Sequence, residues 1–378
     1  TIVEEILDWV LREMTDGAGT FYSALDAESN AREGESYLWT PDQVRSVLEA
    51  AGLADEVAFA MEVYGLDLGV NFEDPHHPGE TSNVIFLPEK PDETGQRLGL
   101  TMRELETKFN AINAALLAAR DQRDQPGLDQ KIIAGWNGLM IGGMADGGRV
   151  LKNQSYVVAA DAAADDLMSS MWSSNTGLTR TRRDGEGKIP GFLEDYAYVI
   201  RGLLRLERAS GNSMRLDQAA ALAKQAKDRF WDEQSGGWYE TRADQDDLLV
   251  RGRSFYDGAM PSANAVMINN MIELYRRTGK KSYGEDAIAG LNSVSADIKE
   301  APRGVVHSVQ ALHRIDSKHP ELLGTSVAGA KKAPGTHVAF SADVRQVRLG
   351  VGESATVTLT LVIDEGWHVN ANQQMDEF

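Results

Sequence analysis

The stretch that decides the fold is Gly17-Ala18-Gly19-Thr20-Phe21-Tyr22-Ser23, a glycine turn that runs into aromatic residues. It is repeated as Ser235-Gly236-Gly237-Trp238-Tyr239-Glu240-Thr241, and more weakly as Asn175-Thr176-Gly177-Leu178-Thr179-Arg180. Each copy follows a helix-like segment rich in apolar residues. Glycine supplies the positive φ at which a helix can stop, and the aromatic or β-branched residues that follow favour a short extended segment. This repeated unit predicts stacked helical hairpins, which bury a core only as an array.

The copies are unevenly spaced, which favours a closed toroid of hairpins over a linear solenoid of fixed period. Helix signals dominate up to about His313. Capping boxes at Thr40 and Thr101 open helices that run through Ala50 and Arg120. Further helices are predicted near residues 132–151, 156–171, 193–209, 215–231, 263–277 and 283–298. The fold class is therefore mainly α, with short strands confined mainly to the glycine turns and the C-terminal tail.

Two regions interrupt the helical pattern. Residues 67–93 predict a long loop with one strand in the apolar run Asn83-Val84-Ile85-Phe86-Leu87. After Asp316 the chain becomes rich in lysine, glycine and proline, and then alternates as strands do at 344–349 and 355–363. We predict an α/α-toroid domain over 1–316, a linker over 317–335 and a partial β-sandwich-type domain over 336–378. The last is too short, at roughly 40 residues, to complete its own core.

Composition excludes several classes of function. A net charge of −19 argues against a nucleic-acid partner, which needs a basic face. No run approaches the ~20 apolar residues that span a bilayer. The absence of cysteine excludes thiol catalysis and disulfides, and the seven histidines form no metal-ligand set, so no cofactor is expected. The compartment stays open, with the cytoplasm favoured. Both ends look cut, so we expect a fragment that lacks N-terminal hairpins of the toroid.

The first candidate site cluster follows the first glycine turn and contains Tyr22, Asp26, Glu28 and Trp39. Carboxylates that alternate with aromatic rings suit a sugar, because the rings stack on pyranose faces and the acids bond hydroxyls or transfer protons. The alternative is a solvated acidic loop in which Trp39 packs as a hydrophobic staple on the Thr40 helix.

Two further clusters lie at predicted helix starts. Trp136 and Asn137 stand between glycines that would let another backbone approach, so helix packing and ligand contact are both open. Glu194, Asp195 and Tyr196 begin a strongly apolar helix. Acids in a first helical turn are also favoured by the helix dipole alone.

The fourth cluster contains Asp257, which precedes a glycine turn, and Ser262, which can cap the next helix. His307 could act as a general base in a toroid pocket, although a surface helix histidine is the alternative. A toroid gathers its turns and helix starts on one face, so we expect a set of distant residues to converge there. This set is Asp26, Trp39, Trp136, Asn137 and Asp257.

Six strings in order resemble one family. They begin at Gly19 (GTFYSALDAES), Tyr37 (YLWTP), Asn83 (NVIFL), Asp129 (DQKIIAGWNGLM), Leu193 (LEDYA) and Asp257 (DGAMPSAN). Together they resemble the thioredoxin-domain-containing proteins related to spermatogenesis-associated protein twenty. The resemblance implies an epimerase-like, six-hairpin glycosidase-type α/α toroid, with a thioredoxin-like domain as its partner in the full-length protein. That domain and its Cys-x-x-Cys-type motif are not in this sequence. The tail resembles the start of a disulfide-corrector domain.

Fold relatives of that family include sugar 2-epimerases and glycoside hydrolases, so the resemblance implies a pocket that binds or modifies carbohydrate. The alternative is a non-catalytic scaffold or interaction module of a thioredoxin-fold redox protein. The catalytic candidates are the acids Asp26, Glu28, Glu194 and Asp257. The substrate-binding candidates are Tyr22, Trp39, Trp136, Asn137, Asp195 and Tyr196. Two carboxylates that converge on one pocket would favour an enzyme over a scaffold.

Overall fold

The structure, a computed structural model, describes residues 1–74, 77–245, 250–325, 338–342 and 359–363. It divides into two compact units, of which one comprises Thr1–Phe21 and Ile133–Phe378 and the other Tyr22–Ile132. We call them the hairpin unit and the inserted unit. Helix far exceeds strand in the described residues of both, which confirms the predicted mainly-α class.

The helices of the described residues are α1 (Ile2–Glu13), α2 (Pro41–Ala50), α3 (Val57–Val63), α4 (Pro91–Leu98), α5 (Met102–Arg120), α6 (Ala134–Leu151), α7 (Gln154–Ser170), α8 (Leu193–Ser210), α9 (Ser213–Phe230), α10 (Ala263–Thr278), α11 (Lys281–Ser293), α12 (Ser295–Glu300), α13 (Val306–Lys318) and α14 (Pro320–Thr325). The strands are β1 (Tyr22–Leu25), β2 (Glu28–Ser29), β3 (Arg32–Glu33), β4 (Phe72–Glu73), β5 (Thr81–Ser82), β6 (Leu128–Ile133), β7 (Trp172–Ser173), β8 (Gly177–Arg183), β9 (Glu186–Pro190), β10 (Val338–Ala342) and β11 (Leu359–Ile363).

The hairpin unit is built from two layers of paired helices. Helices α6, α8, α10 and α13 pack side by side in an inner row, and α7, α9 and α11 cover α6, α8 and α10 respectively. This alternation of inner and outer helices is the arrangement that an α/α toroid of hairpins requires. The inner helices are buried on nearly every face, as the twelve buried residues of α8 show. Residues buried all round belong to a helix in the middle of a core.

Close packing between α6 and α8 depends on glycine. A Cβ on Gly138 would lie 2.5 Å from the backbone carbonyl carbon of Tyr198, and one on Gly135 would lie 3.0 Å from a carboxylate oxygen of Asp195. The predicted close approach of another backbone at this helix start is therefore confirmed. Side chains with a Cβ would force the two helices apart, so the residue type fixes the spacing of the inner row.

The three copies of the repeated turn share one geometry. In each, a residue one or two positions after the glycine pairs in antiparallel fashion with a residue near the end of the preceding helix. The pairs are Thr15 with Phe21, Trp172 with Leu178 and Trp231 with Trp238. Gly19 has φ 101° and Gly237 has φ 77°, which are left-handed values that other residues rarely adopt. The third copy also extends into the β8–β9 hairpin.

The inserted unit has its own small core. Helices α2, α3 and α5 pack around Trp39, Val44, Leu48 and Ile112, all of them buried. Both predicted capping boxes are present, at Thr40 and Thr101, and their helices end where expected. Strands β1 and β6 pair antiparallel at the ends of the unit.

Two local predictions were wrong. Residues 83–87 were expected to form a strand, but the strand precedes them as β5, and only Asn83 forms a bridge, with Trp39. The side-chain amide of Asn71 bonds both the N–H and the C=O of Val84, so it replaces a strand partner. The helix expected over 283–298 divides at Val294 into α11 and α12.

The tail is described only in part. Strand β11 confirms the C-terminal part of the strand expected over 355–363, and it pairs with β10 from Val338↔Ile363 to Ala342↔Leu359. The strand expected over 344–349 lies outside the described residues. Helix α14 lies inside the segment predicted as a linker, and its Leu322 is buried. The domain boundaries stay predictions.

Candidate functional site

The inner helices of the hairpin unit begin at one shared end. A carboxylate oxygen of Asp195, in the first turn of α8, accepts the N–H of Gly135 at the start of α6 at 3.1 Å. The hydroxyl of Tyr198, one turn later in α8, donates to the carbonyl of Pro261 just before α10 at 2.5 Å. The loops that carry the sequence candidates of this unit therefore meet at that end.

Buried amides hold the repeated turns against these helix starts. Asn137 of α6 accepts the N–H of Phe21 at 2.8 Å and donates to its carbonyl at 2.9 Å. Asn264 of α10 makes the same pair of bonds to Trp238, both at 2.8 Å. Each pair of hydrogen bonds satisfies the N–H and the C=O of a buried residue, which would otherwise be unpaired. Asn137 is 1% exposed, and these bonds explain its burial without a ligand.

Tyr196 holds the third copy of the turn in a similar way. Its hydroxyl accepts the N–H of Leu178 at 2.8 Å and a guanidinium N–H of Arg229 at 3.1 Å. Its ring packs edge-on against Phe230, and the residue is fully buried. Burial raises the pKa of the Tyr196 hydroxyl above its ordinary value. A turn-holding role accounts for this residue, and its role in substrate binding stays a prediction.

Asp195 and Glu194 share one cation. A single guanidinium nitrogen of Arg180, in β8, lies 2.6 Å from Glu194 and 3.0 Å from Asp195. Asp195 is 1% exposed and also accepts the N–H of Phe192. Burial raises the pKa of the Asp195 carboxyl to about 6, against the lowering effect of Arg180. Asp195 therefore links the start of α8 to the start of α6. The Glu194 carboxylate is 37% exposed and can contact a ligand.

Asp257 organises the loop before α10. One carboxylate oxygen accepts the N–H of Ser262 at 2.8 Å, and the other accepts the N–H of His307, also at 2.8 Å. The Nδ1 of His307 lies 3.1 Å from Asp257 Oδ1. The Asp257 side chain is only 10% exposed. Its oxygens are occupied by protein donors, so the structure gives it a positioning role, and its catalytic role stays a prediction.

The candidates of the inserted unit lie in different environments. Trp39 is 5% exposed in the core, with the Arg123 guanidinium 3.8 Å from the centre of its ring. Asp26 and Glu28 are exposed, and Asp26 accepts the backbone N–H of Glu28 at 3.2 Å. Tyr22 lies on β1 opposite Ile132. Trp39 thus packs in the core beside α2, as expected from the alternative interpretation of this cluster as a solvated acidic loop.

The five residues that were expected to converge belong to two different units. Asp26 and Trp39 belong to the inserted unit, and Trp136, Asn137 and Asp257 belong to the hairpin unit. The convergence of all five stays a prediction. Trp136 is 45% exposed at the start of α6, next to the buried Asn137.

A cavity of about 390 Å³ opens at the shared end of the inner helices, and we call it the aromatic cavity. Three rings and two carboxylates line it, together with the loop that precedes α10. These residues are Phe192, Tyr198, Tyr256, Glu194 and Glu240. Of the site residues expected from the sequence, only Glu194 lines this cavity.

Glu240 was missed as a site residue. It is the sixth residue of the second copy of the repeated turn, directly after Trp238-Tyr239. Its backbone is fixed, because its carbonyl accepts the N–H of Leu193 at 3.0 Å and its N–H donates to Gly252 at 2.9 Å. Its position in the repeat was the signal that could have identified it, since the turn directs the residues after it to the helix starts.

Comparison with known proteins gives a relative in sequence. No family model matches the chain. Spermatogenesis-associated protein 20 of Rattus norvegicus is 34% identical over 335 residues, which cover 82% of this chain and 42% of the relative. The chain is similar to spermatogenesis-associated protein 20. It spans less than half the length of the curated relatives that it matches. This similarity confirms the relatives expected from the six motifs, whereas the thioredoxin-like partner domain and the disulfide-corrector tail stay predictions.

Two solved structures are also similar in part. Cellobiose 2-epimerase from Spirochaeta thermophila gives a TM-score of 0.37 at 17% identity, covering 45% of this chain and 43% of that chain. D-mannose isomerase gives a TM-score of 0.39 at 14% identity, covering 78% of this chain and 84% of that chain. In the part of the chain that the structure describes, no helix has the length and apolar character needed to cross a membrane.

Proposed function

We propose that the aromatic cavity of the hairpin unit binds a carbohydrate, and that the chain is a carbohydrate-binding or carbohydrate-modifying protein. The observation that carries this proposal is the combination of three aromatic rings with two carboxylates in one cavity of about 390 Å³. Aromatic faces pack on the C–H faces of a sugar ring, and carboxylates accept hydrogen bonds from its hydroxyls. A cavity of this size is in the range used for small-molecule ligands.

Two tyrosines of the cavity wall differ in burial. Tyr198 is 2% exposed and is held by its bond to Pro261, so its ring forms a fixed wall. Tyr256 is 68% exposed and can close over a bound sugar. The guanidinium of Arg180 lies 4.9 Å from the Phe192 ring and also bonds Glu194, which fixes both groups before a ligand arrives. Preorganised groups bind more tightly because less motion is lost on binding.

The two carboxylates are suited to different roles. Glu194 is held by Arg180, which makes it a fixed acceptor for a sugar hydroxyl. The Glu240 carboxylate has no hydrogen bond or ion pair among the described residues, so no protein group occupies its oxygens. General acid–base chemistry of the epimerase or hydrolase type needs such a group next to the sugar. We therefore assign hydroxyl binding to Glu194 and proton transfer to Glu240.

Calorimetric titration with mono- and disaccharides, together with epimerase and hydrolase assays, tests this function. Glu194→Gln should weaken sugar binding, whereas Glu240→Gln should keep binding and abolish any turnover. Glu186→Gln is the matched control, because its side chain is 78% exposed on β9. Absence of binding across the panel, or equal effects of all three variants, would refute the proposed function and favour the scaffold alternative.

A further inference from the structure

A second cavity of about 350 Å³ lies in the hairpin unit along the inner helices, beyond the aromatic cavity. We call it the basic cavity. Helices α8, α10 and α13 form most of its wall, and α6 contributes Asp146. Five cationic side chains line it, although the chain as a whole carries a net charge of −19. They are Arg201, Arg205, Arg208, Arg314 and Lys318.

Two carboxylates neutralise only part of this charge. Arg205 pairs with Asp146 at 3.1 Å, and Arg314 pairs with Glu273 at 3.0 Å. Within the described ranges, no hydrogen bond or ion pair joins the side chain of Arg201 to another group. The same is true of Arg208 and Lys318. Three of the five cations in this concave site therefore have no hydrogen bond or ion pair in the described part of the chain, and the carboxylate whose charge acts on Arg201 is Asp146, which already pairs with Arg205.

Arg201 is the centre of this imbalance. It is half-buried, one turn after Tyr198 on the same helix. Burial lowers the pKa of the Arg201 guanidinium, and the nearby charge of Arg205 lowers it further, against the raising effect of Asp146. A partly desolvated cation without a partner is unfavourable unless a bound anion compensates it.

The spacing on α8 makes a purely structural role unattractive. Arg201, Arg205 and Arg208 follow at intervals of four and three residues, so they share one face of the helix. Like charges at these spacings destabilise a helix. Arg201 and Arg205 are partly buried, and together with the exposed Arg208 they line a cavity that the apolar side chains of Leu204 and Val266 also line.

We propose that the basic cavity binds the phosphate group of a small molecule. Guanidinium groups match the oxygens of phosphate with paired, charge-assisted hydrogen bonds, and a doubly charged group fits three unmatched cations better than a single carboxylate. The concave shape and the acidity of the rest of the chain favour a small ligand over a nucleic acid. This inference does not depend on sugar binding in the aromatic cavity.

Calorimetry with inorganic phosphate, with potassium chloride at matched ionic strength as the reference, tests the proposal. Arg201→Met should weaken phosphate binding at least tenfold. Arg149→Met is the matched control, because Arg149, like Arg205, contacts Asp146, at 3.6 Å, but does not line the cavity. It should change the affinity less than twofold. Malonate at the same concentration tests whether a dicarboxylate binds equally well.

Three results would overturn the proposal. They are heat from phosphate no greater than that from chloride, malonate binding as tight as phosphate binding, and equal changes of the phosphate affinity in the two arginine variants. Far-ultraviolet circular dichroism checks that each variant folds. If Arg201→Met does not fold, Arg208→Met provides the same test, because its exposed side chain lines the cavity.

Discussion

Replacing Asn264 by leucine should destabilise the hairpin unit strongly. Leucine has the same number of side-chain heavy atoms and the same branch point as asparagine, but it removes both bonds that hold the turn at Trp238. Trp238 is fully buried, and among the described residues no other group bonds its N–H and C=O. Each buried main-chain group left unpaired costs about 1–3 kcal/mol, so the free energy of unfolding should fall by about 2–6 kcal/mol.

Urea denaturation followed by circular dichroism measures this loss. Asn264→Asp keeps an acceptor for the Trp238 N–H and loses the donor to its carbonyl, so it should fall between wild type and Asn264→Leu. Asn292→Leu is the matched control, because Asn292 is exposed on α11, and it should change the free energy by less than about 0.5 kcal/mol. Equal effects of the two leucine variants would show that the side-chain amide of Asn264 does not hold the turn.

Two further predictions concern the junction of α6 and α8. Gly138→Ala should destabilise the protein by about 1–3 kcal/mol, because the new Cβ would overlap the Tyr198 backbone. Gly143→Ala should stabilise it by up to about 1 kcal/mol, because no atom lies within 4 Å of the new Cβ. Thermal and urea unfolding compare the two variants. Because burial raises the pKa of Asp195 to about 6, the folded state between about pH 4 and pH 6 holds a proton that the unfolded chain has released. The contribution of Asp195 to stability should therefore decrease as pH rises through that range, and Asp195→Asn should flatten the curve; a parallel curve would contradict the burial of this carboxyl.

Local rules predicted the helices well. The capping boxes at Thr40 and Thr101 placed two helix starts, because such caps depend on side chains within one turn. The strand expected over 83–87 failed because a strand needs a partner, and Asn71 takes that place at Val84. Its apolar composition alone could not reveal this.

The sites were harder to predict than the elements. Acid and aromatic residues near turns led to Glu194, but Glu240 and Tyr256 line the same cavity only because their loops lie at the starts of α8 and α10. Asn137 was a ligand candidate because it is a polar residue in an apolar helix, and its partner proved to be the backbone of Phe21, 116 positions away. Sequence separations of this size carry no local signal.

The basic cavity had no signal in the sequence for a similar reason. Arg201, Arg205 and Arg208 have the spacing of a solvated helix face. Only the inner position of α8, covered by α9 and flanked by α6 and α10, turns that face into the wall of a cavity.

Saturation-transfer difference nuclear magnetic resonance tests the central claim, that the aromatic cavity binds a carbohydrate, most directly. The experiment saturates protein protons and detects the transfer to ring protons of glucose, mannose and their disaccharides. We expect transfer to the C–H face of at least one sugar with the wild-type chain, and its loss in Tyr256→Ala, which removes the ring at the mouth of the cavity. Phe86→Ala, which removes an exposed ring outside the cavity, should keep the signal. Transfer that survives in Tyr256→Ala, or that is absent for every sugar, would contradict the account.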